Sequence, residues 1–201
     1  RAVETARHDI SLTYFEFGTL AAMKLFMDAA VDVIVLEVGL GGRLDAVNVF
    51  EPSAAAVVSV ALDHESYLGA SREAVGFEKA GIYRSGKLAV CSDPVPPQSL
   101  LNHAVQIGAD LALLGRDFGY SRAEDSATWS WWGPAGATYS DLPMPALPGE
   151  YQLGNAATAL VLLTALQKRL PVGEQAVRQG LQQVVWPARF QVRNGPPRVI
   201  L

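Results

Sequence analysis

Two acidic or imidazole groups stand at the ends of apolar, β-branched runs, and that placement suggests chemistry. Glu37 closes Asp32-Val-Ile-Val-Leu-Glu37, and Asp63-His64 follows Ala54 to Val60. Ligands of open parallel sheets bind beyond the carboxyl ends of the strands. A carboxylate there either caps a loop amide or meets a hard cation such as magnesium, which takes oxygen ligands and keeps several waters. If the two runs are neighbouring parallel strands, Glu37 and His64 share one crevice. Between them lies a tight turn, Gly39-Leu-Gly-Gly42, followed by Arg43, Asp45 and Asn48. Its glycines allow either a sharp turn or close backbone approach to a ligand. The spacing is not the dinucleotide fingerprint G-x-G-x-x-G.

Lys79 closes a helical stretch, where a lysine favours the helix dipole and points into water. The alternative is a lysine that has reacted with carbon dioxide to form a carbamate, an anion able to hold a metal. That reaction needs the neutral amine, which burial or a nearby cation favours. Asn155 opens a later helix, where it suits a cap. Arg189 follows the Trp186-Pro187 break, a setting for a structural arginine or for one that binds phosphate in a cleft. His8 and His103 have no comparable setting.

The elements that must hold these residues follow from periodicity. Phe15, Leu20, Met23, Phe26 and Met27 recur at helical spacing over residues 13–30, with Thr13 as the cap. Short apolar runs predict buried strands over 32–37, 54–60, 87–91 and 110–114. Helices are expected over 71–83 and 98–107. The alternation predicts an α/β fold with a mostly parallel sheet flanked by helices. Residues 116–141, with Trp129, Trp131, Trp132 and Tyr139 among Gly and Pro, predict appended antiparallel β-hairpins. A proline-rich extended link over 142–150 leads to helices over 153–168 and 173–184. Strands over 190–192 and 198–201 begin a new unit.

The 201 residues are half apolar with a net charge of −4. That suits one substantial domain with the start of a second, and gives no reason to expect a nucleic-acid or membrane-surface partner. The single cysteine, Cys91, precludes an intrachain disulfide and fits a reducing cytoplasm. Lys24 and Asp28 interrupt the apolar stretch near the start, so no membrane span is expected. Both ends are expected to be cuts, since the chain starts at Arg1 and stops inside the apolar run Val199-Ile200-Leu201.

The strings TYFEFGTLAA (13–22), LEVGLGGRLDAVN (36–48), SVALDHESYLG (59–69), FEKAGIYRSGK (77–87), LGNAATAL (153–160) and WPARFQ (186–191) occur in order. Together they resemble the bacterial bifunctional folylpolyglutamate synthase/dihydrofolate synthase family of the Mur ligase superfamily, from about residue 11 to the end. The resemblance implies a Mur ligase central domain, P-loop NTPase-like but without its P-loop, over residues 1–186. Residues 187–201 are then a hinge and the first strands of a C-terminal domain.

The same resemblance implies residue roles. Glu37 and His64 match magnesium-binding residues. Lys79 matches a lysine carried as a carbamate that helps position a second magnesium. Thr13, Tyr14, Phe15 and Glu16, with Leu44, Asp45 and Ala46, match pterin-binding segments. Asn155 and Arg189 match ATP contacts. The implied reaction is ATP-dependent addition of L-glutamate to dihydropteroate and to tetrahydrofolate through an acyl phosphate, by a cytoplasmic monomer.

The family's phosphate loop is not in this chain, where no G-x-x-x-x-G-K-S/T occurs. The chain is therefore expected to be inactive alone. Two other readings are a Mur-type ligase of cell-wall precursors and a non-catalytic binding fragment.

Overall fold

The computed structural model describes residues 1–187, 192–193 and 199–200. Its centre is a three-stranded parallel sheet, ordered β1 (Ala54–Val57), β2 (Leu88–Cys91), β3 (Asp110–Leu113). Residues alternate across a strand, and here both faces are covered. Val57, Ala89 and Cys91 face one core with Val75 and Ala80 of α4 (Arg72–Ala80) and Leu100 and Ala104 of α5 (Gln98–Ile107). Val90 and Ala112 face the other core, with Leu153, Ala157, Leu160 and Val161 of α6 (Tyr151–Leu166) and Val177 of α7 (Glu174–Gln183). Burial of each such Val or Leu side chain contributes roughly 1.5–3 kcal/mol.

The tryptophan-rich stretch forms an antiparallel sheet, β4 (Gly119–Ser121), β5 (Thr128–Trp132) and β6 (Thr138–Pro143). Trp129 and Trp131 are buried in the α6 core, and each indole N–H is satisfied, by Pro143 O at 2.9 Å and Ala157 O at 3.2 Å. Strand β6 takes in Leu142 and Pro143, so the extended link is shorter than 142–150. Two further pieces, β7 (Val192–Arg193) and β8 (Val199–Ile200), pair antiparallel.

Two helices precede the sheet, α1 (Ala2–Ala6) and α2 (Tyr14–Asp28), the latter capped by Thr13 as expected. Between β1 and α4 lies a one-turn helix, α3 (Glu65–Leu68). The strand expected over Asp32–Glu37 does not form. Those residues carry no regular secondary structure, with Asp32 in a bend, and Val35 is 88% exposed. A strand exists by pairing its amides with a neighbour. Among the described residues none pairs with this segment or with the outer edge of β1. The ladder of β1 also stops at Val57, short of the expected Val60. Among the described residues, no helix is long and apolar enough to cross a membrane.

Candidate functional site

The first turn of α2 and the glycine-rich turn face each other across a hollow. At the helix end, Thr13 Oγ1 accepts the Glu16 N–H at 3.2 Å, while the Glu16 carboxylate accepts the Thr13 N–H at 2.7 Å and its hydroxyl at 2.8 Å. This is a reciprocal capping box. The backbone bond first, and then the hydroxyl, hold the Glu16 carboxyl below its usual range.

The glycine turn is organised from inside. Asp45 Oδ2 accepts the N–H groups of Gly39 and Leu40 at 2.9 and 3.0 Å, and its Oδ1 accepts that of Val47 at 3.0 Å. The turn is also stitched to the end of α4. Arg43 N–H donates to Glu78 O at 2.8 Å, and the Arg43 guanidinium donates to the Glu78 carboxylate at 2.9 Å. Asn48 Nδ2 donates to Arg43 O and Gly81 O at 3.1 and 3.0 Å. A Cβ on Gly42 would stand 2.9 Å from Glu78 O, and one on Gly81 would stand 2.6 Å from Arg43 Cα. Both glycines are thus explained by close approach of two chain segments. Arg43 and Asn48 are committed to internal ties.

The hollow encloses about 360 Å³. Thr13, Phe15 and Glu16 line one wall, and Leu40 to Ala46 line another, including Leu44, Asp45 and Ala46. Tyr67, Leu68 and Glu78 complete it. Tyr14 is not in the lining and is 96% exposed. Sequence reasoning passed over Tyr67, Leu68 and Glu78. The one-turn helix α3 is too short to leave a periodic signal, and Glu78 reads as the solvent side of α4. The walls combine aromatic and aliphatic faces with three carboxylates, Glu16, Asp45 and Glu78. Such a hollow suits a flat heterocycle that offers N–H donors at its edge.

The remaining candidates are more dispersed. His64 precedes α3 in a left-handed conformation, φ 51° and ψ 42°, which costs energy in a residue with a Cβ. Its side chain is 58% exposed, with Nε2 3.7 Å from Asp63 Oδ2. Glu37 is exposed, and Lys79 is half-buried in the last turn of α4. Among the described residues, neither Glu37 nor Lys79 enters an ion pair. No group of three or more His, Cys, Asp and Glu side chains gathers among them. The exposed Glu37 carboxylate is an oxygen donor of the kind a hydrated magnesium or manganese ion takes, and the His64 imidazole is a nitrogen donor open to a transition-metal dication.

Asn155 does not open its helix. Helix α6 starts at Tyr151, and Asn155 lies in its second turn, donating to Gln152 Oε1 at 3.1 Å. Arg189 lies outside the described residues. A second hollow, about 480 Å³ and lined by Tyr120, Arg122, Met144, Gly149, Glu150 and Leu153, contains none of the candidates.

The parallel sheet, its helices and the appended antiparallel sheet define a Mur-ligase-type α/β fold. No family model matches the chain. The Escherichia coli (strain K12) dihydrofolate synthase/folylpolyglutamate synthase is 46% identical over 198 residues, which are 98% of this chain and 45% of that protein. The structure of E. coli FolC in complex with DHPP and ADP superposes with a TM-score of 0.89 at 46% identity, over 98% of this chain and 45% of that one. A bifunctional folylpolyglutamate synthase/dihydrofolate synthase with Mn, AMPPNP and L-glutamate bound gives 0.86 at 47% identity, over 98% and 46%. Over nearly its whole length the chain is similar to bifunctional dihydrofolate synthase/folylpolyglutamate synthases. It spans about 45% of the length of the curated relative with which it shares 46% identity.

Proposed function

We propose that the protein containing this chain is an ATP-dependent ligase that adds L-glutamate to dihydropteroate and to tetrahydrofolate. The observation that carries the reading is the hollow between α2 and the glycine turn, which six of the seven candidate substrate residues line. Relatives of the same fold hold DHPP, ADP, AMPPNP and L-glutamate.

In this reading the pterin ring lies in the hollow. Phe15 and Tyr67 offer aromatic faces, and Asp45 or Glu16 accepts N–H groups from the ring edge. The substrate carboxylate attacks the γ-phosphorus of ATP, the bond to the bridging oxygen breaks, and ADP leaves. The glutamate amine then attacks the acyl carbon, a C–N bond forms, phosphate departs and the amine proton is lost. Glu37 and His64 are the residues that would hold magnesium, with Lys79 as a carbamate formed when its neutral Nζ adds to carbon dioxide and loses a proton. Magnesium, when bound, offsets charge on the transferring phosphoryl group. Asn155 and Arg189 contact ATP. Residues 1–186 form the central ATPase-type domain, and 187–201 begin the next, in a cytoplasmic monomer. No G-x-x-x-x-G-K-S/T occurs in these 201 residues, so they are expected to turn over no ATP by themselves.

A substrate screen of the intact protein tests this. ADP release is expected with dihydropteroate or tetrahydrofolate when L-glutamate is present. Turnover with cell-wall nucleotide precursors alone would place the protein in another branch of the superfamily.

A further inference from the structure

Val60 is buried, at 4% exposure, three residues past the end of the β1 ladder. Among the described residues its backbone has no strand partner, yet both polar groups are satisfied by side chains. Its N–H donates to Asp93 Oδ2 at 2.7 Å, and its carbonyl accepts Arg72 Nε at 2.9 Å. The two side chains also bind each other, Arg72 Nη2 to Asp93 Oδ1 at 2.9 Å. Arg72 donates further to Val95 O at 2.9 Å, and Asp93 Oδ1 accepts the Val95 N–H at 2.9 Å. Asp93 is 5% exposed.

The consequence falls on His64. Residues 61–67 are all exposed. The path of the chain from the sheet to His64 is therefore set by its anchor at Val60 on one side and by α3 on the other. Arg72 is also the first residue of α4, whose last turn carries Lys79. One ion pair thus joins the exit of β1, the exit of β2 and the start of the lysine helix.

We infer that Arg72 and Asp93 are positioning residues for the Asp63-His64 loop, acting on the cation through Val60. This rests on the metal reading of His64 given above. Groups that orient a metal ligand typically cost 10–100-fold in metal affinity when removed.

The test measures the Mn²⁺ dissociation constant of the intact protein by electron paramagnetic resonance, together with KM for dihydropteroate. Asp93→Ala is expected to raise the Mn²⁺ constant about tenfold while KM for dihydropteroate stays within about twofold. Asp93→Asn keeps an acceptor for the Val60 N–H and is expected to recover most of the affinity. Arg72→Lys keeps the charge but cannot reach Val60 and Asp93 together, and is expected to weaken Mn²⁺ while preserving the fold. Leu100→Ala, in the same core but with no side-chain part in the Arg72–Asp93–Val60 bonds, controls for general destabilisation. An Mn²⁺ constant unchanged in the Asp93 and Arg72 variants, or raised equally by Leu100→Ala, overturns the inference. A wild-type protein that binds no Mn²⁺ overturns the metal reading itself, and this inference with it.

Discussion

The carboxylate of Asp45 accepts the backbone N–H of Gly39 at 2.9 Å across six residues of chain, and by this bond the glycine turn is closed from within. The same carboxylate holds Leu40 and Val47, so three backbone donors converge on one side chain. A pterin bonded to Asp45 would therefore meet a carboxylate already oriented by the fold.

Asp45→Ala releases those three donors and is expected to destabilise the chain by about 1–2 kcal/mol, the range of lost caps and lost charged acceptors. Urea unfolding of the two proteins measures it. A change below about 0.5 kcal/mol, the scatter of ordinary surface substitutions, would mean that the turn does not depend on Asp45.

Gly81→Ala drives a methyl group into Arg43, whose Cα would lie 2.6 Å away. The expected loss is about 1–3 kcal/mol, typical of overpacking. Gly180→Ala, inside α7 with open space around it, is expected to stabilise by roughly 0.5–1 kcal/mol. Thermal melts of both variants check the pair, and equal shifts in the same direction would contradict the packing account.

Glu73 accepts the N–H groups of Gln98 and Ser99 at 3.0 and 2.7 Å, capping α5 from α4. The bonds from Ser99 are the leading cause that lowers its pKa. A lowered folded-state pKa means that the charged form stabilises the fold. That contribution is complete above the unfolded glutamate value of about 4.3 and is lost as pH falls through the lower folded value. Glu73→Gln is therefore expected to be less stable than wild type at pH 7 and to converge on it in strong acid. A stability difference that is constant with pH would contradict this.

Most of the α/β frame was legible, because it is written in local patterns. Helix α5 matches its predicted bounds, and the alternation of apolar runs with helical periods predicts a sheet covered on both faces. The stretch 32–37 was not legible in the same way. Its residues have strand character, but a strand needs a neighbour, and local sequence does not say whether one is present. Asn155 was misplaced because Tyr151-Gln152 carry no capping signal, so the helix was started too late. The hollow itself depends on long-range pairings such as Arg43 with Glu78, which no window of sequence contains. Thr13 with Glu16 is the exception, a capping box three residues apart.

If the hollow between α2 and the glycine turn receives the pterin ring, a charge placed at Leu44 must weaken its binding. Leu44 lines the hollow yet is 79% exposed, so replacing it leaves the core intact. The measurement is the dissociation constant of dihydropteroate for the intact protein and for Leu44→Asp, which adds a fourth carboxylate beside Glu16, Asp45 and Glu78. The expected result is at least a tenfold weaker constant, about 1.4 kcal/mol, with an unchanged melting temperature. An unchanged dissociation constant would contradict it.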